Sequence, residues 1–269
     1  MNAFTEFEHE GWQRVADKYD SNWASSTRQF IPPLLDAAKV ENGMSLLDIG
    51  CGPGYVAAAA TDHGANATGL DFSAEMIAIA HKMFPHLQFL EGDAQKLLFP
   101  DHTFERVVAN FALLHLTDPG RAMTEAWRVL KPGGRFAFTT WAKKEENRFI
   151  QIVDDAIQAH ANLSVDLPPG APYYLYENTR GFREALERAG FDGNSMDFRV
   201  HLIEWQVPTA HYIFDAERHA GVRTAGLLAR QTPAALNGIK AAIEIAVQRY
   251  AKDGGFAIPK AAYIVSISK

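Results

Sequence analysis

A glycine-rich segment between an apolar strand and a helix constrains the fold of this chain most. Residues 45–49 are typical of a buried β-strand, Gly50, Gly52 and Gly54 follow, and residues 55–62 form an alanine-rich helical stretch. Glycine allows a sharp turn and lets a ligand approach the backbone, and the helix start offers unpaired N–H groups to an anion. The pattern is typical of a mononucleotide-binding turn, although a lone loop of this kind can also be a simple turn without a ligand.

Strands and helices alternate regularly around this loop. Single helices, including one capped by Ser73 and one over residues 120–130, separate the next predicted strands, which are 66–70, 87–90, 106–109 and 135–140. Strands joined through single helices form right-handed βαβ units with helices on both faces of a parallel sheet. The region from residue 44 to 141 is therefore predicted to be a doubly wound α/β structure.

The pattern changes after Trp141. We predict helices over 147–161 and 181–189 (capped by Thr179), a strand over 198–207, helical segments over about 209–230 and 233–252, and a strand over 261–267. The last two strands lack a tight hairpin between them, which indicates an antiparallel edge that carries a helical insertion.

Polar residues and glycines follow the predicted strands at one edge of the sheet. Asp71 ends the second strand, 23 residues after Asp48, where an acid can accept both hydroxyls of a ribose. Asp93 follows the third strand, and Asn110 and Phe111 follow the fourth. Open parallel sheets bind ligands in the crevice at this edge, so the four strand ends predict one shared site.

With these segments the sequence resembles the class I S-adenosylmethionine-dependent methyltransferases, in particular the small-molecule group similar to ubiquinone and menaquinone biosynthesis enzymes. The resemblance covers about residues 40–141, and the segment around Tyr19 matches more weakly. The matching segments are 47–54, 69–73, 91–94, 104–115 and 128–134. The resemblance implies a Rossmann-like sheet of seven strands, mostly parallel with an antiparallel last strand, plus a helical cap.

The resemblance also implies S-adenosylmethionine as the cofactor and a role for each matching residue. The three loop glycines pass close to the methionine moiety, Asp71 takes the ribose hydroxyls, and the 131–134 turn is structural. Phe72 and Met76 pack near the adenine or belong to the core, and Asp93 with Ala94 lies at the adenine edge. Asn110 and Phe111 flank the methionyl chain. Asp48 either contacts the cofactor or supports the loop. The full implied cofactor set is Tyr19, Asp48, Gly50, Cys51, Gly52, Gly54, Asp71, Phe72, Met76, Asp93, Ala94, Asn110, Phe111 and His115.

Methyl transfer from a sulfonium is an in-line displacement that needs alignment and exclusion of water, and a base only if the acceptor must lose a proton. His115 is a candidate for such a base, and a role in packing or bridging is the alternative for it. Arg28 is a candidate for binding a carboxylate of the cofactor or the substrate, but a position on a solvated helix face is the simpler interpretation. Aromatic and histidine residues of the variable half are candidates for pocket walls, namely Tyr173, Tyr174, Tyr176, His201, Trp205, His211 and His219.

Composition narrows the class of protein further. The net charge of −6 argues against a protein that works mainly by binding nucleic-acid phosphates, and no apolar run approaches the roughly 18 residues of a membrane span. The single cysteine, Cys51, and scattered histidines predict neither a disulfide nor a metal site. We expect a cytoplasmic protein with a small-molecule substrate and with no nucleic acid or membrane partner.

We expect one domain over residues 1–269, with a helical lid (1–40), a cofactor-binding core (41–145) and a variable half (146–269) that carries a helical insertion at about 208–253. An NAD(P)-dependent oxidoreductase is the first alternative, but the third glycine comes one position earlier than a dinucleotide loop requires. A protein that binds S-adenosylmethionine for non-methylating chemistry or regulation is the second, and the sequence leaves it open.

Overall fold

The computed structural model describes residues 2–170, 176 and 178–269. They fall into two compact units. The first unit comprises the described residues within 1–26, 142–169 and 202–262, and the second comprises those within 27–141, 170–201 and 263–269.

Among the described residues, eight strands join in one sheet. The strands are β1 (Ser45–Ile49), β2 (Asn66–Asp71), β3 (Gln88–Glu91), β4 (Phe104–Asn110), β5 (Leu130–Trp141), β6 (Asp197–Val207), β7 (Ala251–Lys252) and β8 (Gly255–Ser268). Seven of them follow the order β3-β2-β1-β4-β5-β8-β6, and the two-residue β7 pairs with β8 in antiparallel orientation. The strands from β3 to β5 pair in parallel, and the sheet as a whole is mostly parallel with one antiparallel strand. The predicted fold class is confirmed.

Eleven α-helices occur in the described part of the chain. They are α1 (Ala3–Tyr19), α2 (Ser25–Thr27), α3 (Ile31–Ala38), α4 (Tyr55–Asp62), α5 (Ala74–Met83), α6 (Pro119–Val129), α7 (Arg148–His160), α8 (Thr179–Arg188), α9 (Tyr212–Ala220), α10 (Arg223–Leu228) and α11 (Pro233–Val247). None of the helices described is long and apolar enough to cross a membrane.

The second unit has its core on the β-sheet. One face of α3 is apolar and packs with residues of β1, α4, β4 and β5 in a cluster that includes Leu34, Leu46, Val56 and Val108. Burying a leucine or valine side chain contributes about 1.5–3 kcal/mol, so this cluster stabilises the strands that carry the glycine loop.

Three local predictions differ from the structure. The predicted turn at Lys131–Gly134 lies inside β5, which begins at Leu130 and has an irregular register opposite β4, between Phe104 and Arg106. The predicted 209–230 helix is two helices, α9 and α10, separated at Gly221 and Val222. Asn178, rather than Thr179, caps α8, because its side chain accepts a hydrogen bond from the N–H of Gly181.

The first unit contains α1, α7 and α9–α11 together with a buried lysine. The Nζ atom of Lys260 lies 4.7, 4.2 and 4.4 Å from the ring centroids of Trp23, Phe149 and Trp205. Trp23 belongs to a π-helical turn, Asp20–Ala24, that continues α1. Since Lys260 is fully buried, its ammonium meets aromatic faces where it would otherwise meet water.

Candidate active site

The glycine loop leaves β1 with its three glycines in the left-handed region, at φ +66, +51 and +88° for Gly50, Gly52 and Gly54. The N–H groups of Gly50 and Cys51 both donate to the carbonyl of Leu70, at 2.7 and 3.0 Å, which ties the loop to β2. The predicted tight glycine turn is confirmed. A residue with a β-carbon is strained in the left-handed conformation, so all three positions favour glycine.

The three glycines differ in what surrounds them. A β-carbon on Gly50 would lie 2.4 Å from the Cβ of Ala112, and one on Gly54 would lie 2.6 Å from Phe89. A β-carbon on Gly52 would meet no described atom within 4 Å. Gly50 and Gly54 are therefore required by packing within the protein, whereas Gly52 has open space above its backbone.

Asp71 links the end of β2 to the loop. Its carboxylate accepts hydrogen bonds from the N–H of Gly52 (Oδ2, 2.9 Å) and from the N–H of Ser73 (Oδ1, 2.9 Å). Burial raises the pKa of Asp71, while these N–H groups and the positive charge of His115 act in the opposite direction. Each oxygen keeps lone-pair capacity for a further donor, as a vicinal diol would need.

Asp48 and Cys51 lie buried beside Asp71. Burial raises the pKa of Asp48 to about 8, the backbone N–H of Ala57 lowers it in part, and the charge of Asp71 raises it further. Burial and the same two carboxylates raise the pKa of the Cys51 thiol. A thiol that resists ionisation is typical of a packed residue and not of a nucleophile.

A network of hydrogen bonds joins the ends of β4 and β5. The Thr139 hydroxyl donates to Oδ1 of Asn110 (2.6 Å) and accepts from the N–H of Phe111 (2.9 Å). The Asn110 amide donates to the carbonyl of Thr27 at 3.3 Å. Phe111 has φ +56°, a strained conformation for a side chain of its size, and the bonds to Thr139 hold it there.

Aromatic side chains surround Phe111. Its ring stacks on Trp141 with centroids 3.9 Å apart, and Phe30 meets both rings edge-on at 5.1 and 5.9 Å. The His201 ring lies 5.6 Å from Phe30. His201 was among the pocket residues predicted from sequence, whereas Thr139, Phe30 and Trp141 were not. Thr139 had a signal, since Thr139 and Thr140 are polar residues that directly follow the apolar run 136–138.

The residues expected around an adenine follow β2 and β3. Met76 is buried in the first turn of α5, its N–H bonded to the Ser73 side chain at 3.3 Å, and Phe72 is half-buried. Asp93 is exposed and its carboxylate accepts from the Gln95 N–H at 2.8 Å, while Ala94 is buried. The structure thus brings the predicted residues of the second unit to the carboxyl ends of four neighbouring strands.

The remaining candidates have separate surroundings. His115 is half-buried in a short turn after β4, and its charge acts on Asp71. Tyr19 ends α1 in the first unit, edge-on to Trp12. Arg28 lies over the ring of Tyr55, 4.4 Å from its centroid. Tyr173 and Tyr174 lie outside the described residues. In the part that is described, no three His, Cys, Asp or Glu side chains form a metal-binding group.

Comparisons with known proteins bear on this geometry. Residues 47–138 match a family described as "Methyltransferase domain". A demethylmenaquinone methyltransferase from Renibacterium salmoninarum is 32% identical over 176 residues, which cover 62% of this chain and 74% of that protein. The chain belongs to the class I S-adenosylmethionine-dependent methyltransferases. It is thus an enzyme that transfers methyl groups from S-adenosylmethionine to small molecules, as the sequence predicted.

Two further proteins are similar to this methyltransferase. A malonyl-[acyl-carrier protein] O-methyltransferase from Pseudescherichia vulneris is 34% identical over 154 residues, 56% of this chain and 61% of that protein. The phosphoethanolamine N-methyltransferase 2 of Haemonchus contortus, solved with S-adenosyl-L-methionine, has the same fold, with a TM-score of 0.58 and 18% identity over all of this chain and 60% of that one.

The residues at the strand ends fit the cofactor. Open space lies above Gly52, and Asp71 keeps acceptor capacity for ribose hydroxyls. In the described chain no hydrogen bond of normal geometry reaches the two buried oxygens of Asp48. A positive charge nearby reduces the free-energy cost of burying an ionised carboxyl group. The sulfonium and the ammonium of S-adenosylmethionine both provide such a charge.

Proposed function

We propose that this methyltransferase acts on an acceptor with an apolar, ring-bearing body, which packs against the aromatic group formed by Phe111, Trp141 and His201. The fully buried ring of Phe30 supports this group. The observation that carries the proposal is the stack of Phe111 on Trp141 at 3.9 Å, directly beyond Asn110 at the end of β4. Aromatic faces offer a large apolar contact with little conformational freedom to lose, so they favour planar or apolar ligands over charged ones.

The same proposal assigns the cofactor residues. Asp71 accepts the ribose hydroxyls, and the loop around Gly52 carries the methionyl part. Asn110, held by Thr139 and Thr27, orients the end of the methionyl chain beside Phe111. The adenine is assigned to the pocket of Phe72, Met76, Asp93 and Ala94, and Tyr19, Gly50, Cys51, Gly54 and His115 complete the proposed cofactor set.

Bound S-adenosylmethionine supplies an already activated methyl group, so the residues of the chain have to orient the acceptor and exclude water. Orientation of two reactants can account for about 7–11 kcal/mol of a barrier. A phenolic or carbon acid acceptor must also lose a proton. We assign this step to His115, whose imidazole nitrogen can accept the proton in its neutral form.

Acceptors related to those of the two curated relatives are the natural candidates. A demethylmenaquinone-type acceptor carries rings that suit the aromatic group, and we place it first. Malonyl-[acyl-carrier protein] is the second, because a relative that acts on it aligns over more than half of this chain. We further propose that no nucleic acid or membrane takes part, that the chain works in the cytoplasm, and that residues 1–269 form one domain.

The acceptor class is tested by measuring release of S-adenosylhomocysteine. Purified protein is incubated with S-adenosylmethionine and either a reduced demethylmenaquinone analogue or malonyl-[acyl-carrier protein]. Turnover with the ring acceptor supports the proposal, and turnover with the malonyl substrate alone overturns it.

Trp141→Ala should raise the KM for the ring acceptor by about tenfold while the Kd for S-adenosylmethionine changes little, because the proposal assigns the Trp141 ring to the acceptor and not to the cofactor. Phe99→Leu, which alters a ring packed on Phe104, is the matched control. An unchanged KM in Trp141→Ala would remove the aromatic group from the acceptor site.

A further inference from the structure

Two buried carboxyl groups lie side by side beneath the glycine loop. Asp48 is on β1 and Asp71 ends the neighbouring strand β2, where Asp48 stands opposite Gly69 in the register. Asp48 is 0% exposed and Asp71 6%. Two like charges this deeply buried in one place are costly, so one of the groups is favoured in its protonated form.

Hydrogen bonding shows which group carries the proton. Asp71 accepts from the N–H groups of Gly52 and Ser73, and both bonds favour the ionised form. The oxygens of Asp48 are buried, and within the described residues no hydrogen bond of normal geometry reaches either of them. These contacts favour Asp71 as the anion of the pair and Asp48 as the carboxylic acid.

The other groups around Asp48 do not change this assignment. Cys51 is a buried neutral thiol, and His115 exerts its charge on Asp71. The N–H of Ala57, in the first turn of α4, acts toward ionisation of Asp48, but burial outweighs it and the charge of Asp71 adds to burial. The free protein thus stores one proton under the loop at neutral pH.

We propose that Asp48 releases this proton to solvent when positively charged S-adenosylmethionine binds over the loop, and that the resulting carboxylate favours S-adenosylmethionine over S-adenosylhomocysteine. The bond that breaks is the O–H of Asp48, and the proton goes to the buffer. The sulfonium is a fixed positive charge that the product lacks, so ionised Asp48 attracts the methyl donor more than the product. The inference rests on the loop placement of the cofactor proposed above.

Proton release is measured by isothermal titration calorimetry of the full chain with S-adenosylmethionine. Titrations at pH 7 in phosphate and in Tris, whose ionisation enthalpies differ, give the number of protons exchanged with the buffer. A group with a pKa near 8 in the free protein and well below 7 in the complex releases about 0.9 proton at pH 7. The affinity should then rise by up to about tenfold per pH unit from pH 6 to 8.

The ligand needs its own control, because a free α-amino group titrates near about 7.7–8.0. Asp48→Asn removes the proposed proton and keeps the shape of the side chain, so the difference between the wild type and this variant isolates Asp48. Asp62→Asn, an exposed position at the other end of α4, is the matched control. Circular dichroism establishes that the variants are folded.

The inference predicts that Asp48→Asn loses the extra proton release and shows a several-fold smaller ratio of the Kd for S-adenosylhomocysteine to that for S-adenosylmethionine. Equal proton release in the wild type and a folded Asp48→Asn variant overturns it. If Asp48→Asn does not fold, the wild type still decides, because proton release must be larger with S-adenosylmethionine than with S-adenosylhomocysteine. Absence of any binding would instead contradict the proposed cofactor site.

Discussion

The carboxylate of Asp71 and the backbone N–H of Gly52 are joined by a 2.9 Å hydrogen bond that connects β2 to the glycine loop. The bond places the proposed ribose acceptor and the one loop glycine with open space above it in fixed positions. A single side chain therefore shapes the loop and keeps lone pairs for the proposed contact with the ribose.

Asp71→Asn should weaken binding of S-adenosylmethionine by about 10- to 100-fold, since a hydrogen bond to a charged group contributes about 1.5–3 kcal/mol. An amide retains only one acceptor oxygen for the N–H groups of Gly52 and Ser73 and for the ribose. The Kd measured by calorimetry gives the result, with Asp62→Asn as the control. A Kd within twofold of the wild type would show that Asp71 does not contact the cofactor.

Gly50→Ala and Gly52→Ala should have different effects on the free protein. The new methyl group at position 50 would lie 2.4 Å from Ala112, whereas at position 52 it meets no described atom within 4 Å. Both carry the backbone strain of a positive φ, about 1–2 kcal/mol, and overpacking adds about 1–3 kcal/mol at position 50 only.

Urea denaturation of the free variants tests this pair. Gly50→Ala should be the less stable of the two, while Gly52→Ala should keep most of its stability and lose cofactor binding. Equal loss of stability would mean that the space above Gly52 does not distinguish the two glycines.

Much of the proposed cofactor site, at the carboxyl ends of the strands, was predictable from sequence because it depends on local backbone conformation. Positive φ values at Gly50, Gly52 and Gly54 require glycine, and a strand, loop and helix in series place Asp71 at the sheet edge. These features depend on residues that are close together in the sequence, so the sequence pattern predicts them.

The features that the sequence did not reveal depend on distant contacts. Leu130 pairs with Phe104 across an irregular register, which turns an expected loop into part of β5. The role of Thr139 depends on its hydrogen bond to Oδ1 of Asn110, which lies 29 positions earlier in the chain. Lys260 is one charge in an apolar strand, and only the tertiary structure shows the three rings around it.

Thr139→Val and Thr140→Val form a matched pair on one strand. Both hydroxyls are buried, but that of Thr139 bonds to Asn110 and Phe111, whereas that of Thr140 has no hydrogen-bond partner among the described residues. Loss of a buried partner costs about 1–3 kcal/mol, so Thr139→Val should be destabilised by that amount and should lower kcat, because Asn110 loses its orientation.

Thr140→Val should be neutral or slightly stabilising, because it removes a buried hydroxyl that makes no bond. Thermal denaturation and initial-rate kinetics of the two variants measure both effects. Two variants with the same stability and kcat would contradict the role given to the Thr139 network.

Lys260 makes the stability of the protein depend on pH above neutrality. Burial lowers the pKa of Lys260 to about 7, and the charge of Glu217 acts in the opposite direction. Between pH 7 and about 10.5 the unfolded chain holds this proton and the folded chain does not, so the free energy of unfolding rises with pH in that window. The slope from one such group is at most about 1.4 kcal/mol per pH unit.

Removal of Lys260 alone would leave Glu217 buried without its counter-charge, so the comparison uses Glu217→Gln with and without Lys260→Met. In Glu217→Gln the rise should begin at a lower pH, because the carboxylate no longer supports the ammonium. In the double variant the part of the slope due to Lys260 should disappear. Urea denaturation at pH 7, 8 and 9 measures the slope of the free energy of unfolding against pH. The control is Lys252→Met, at an exposed position on β7, which should keep the slope of the wild type. Identical slopes in Glu217→Gln and the double variant would mean that Lys260 stays protonated among its three aromatic rings throughout this range.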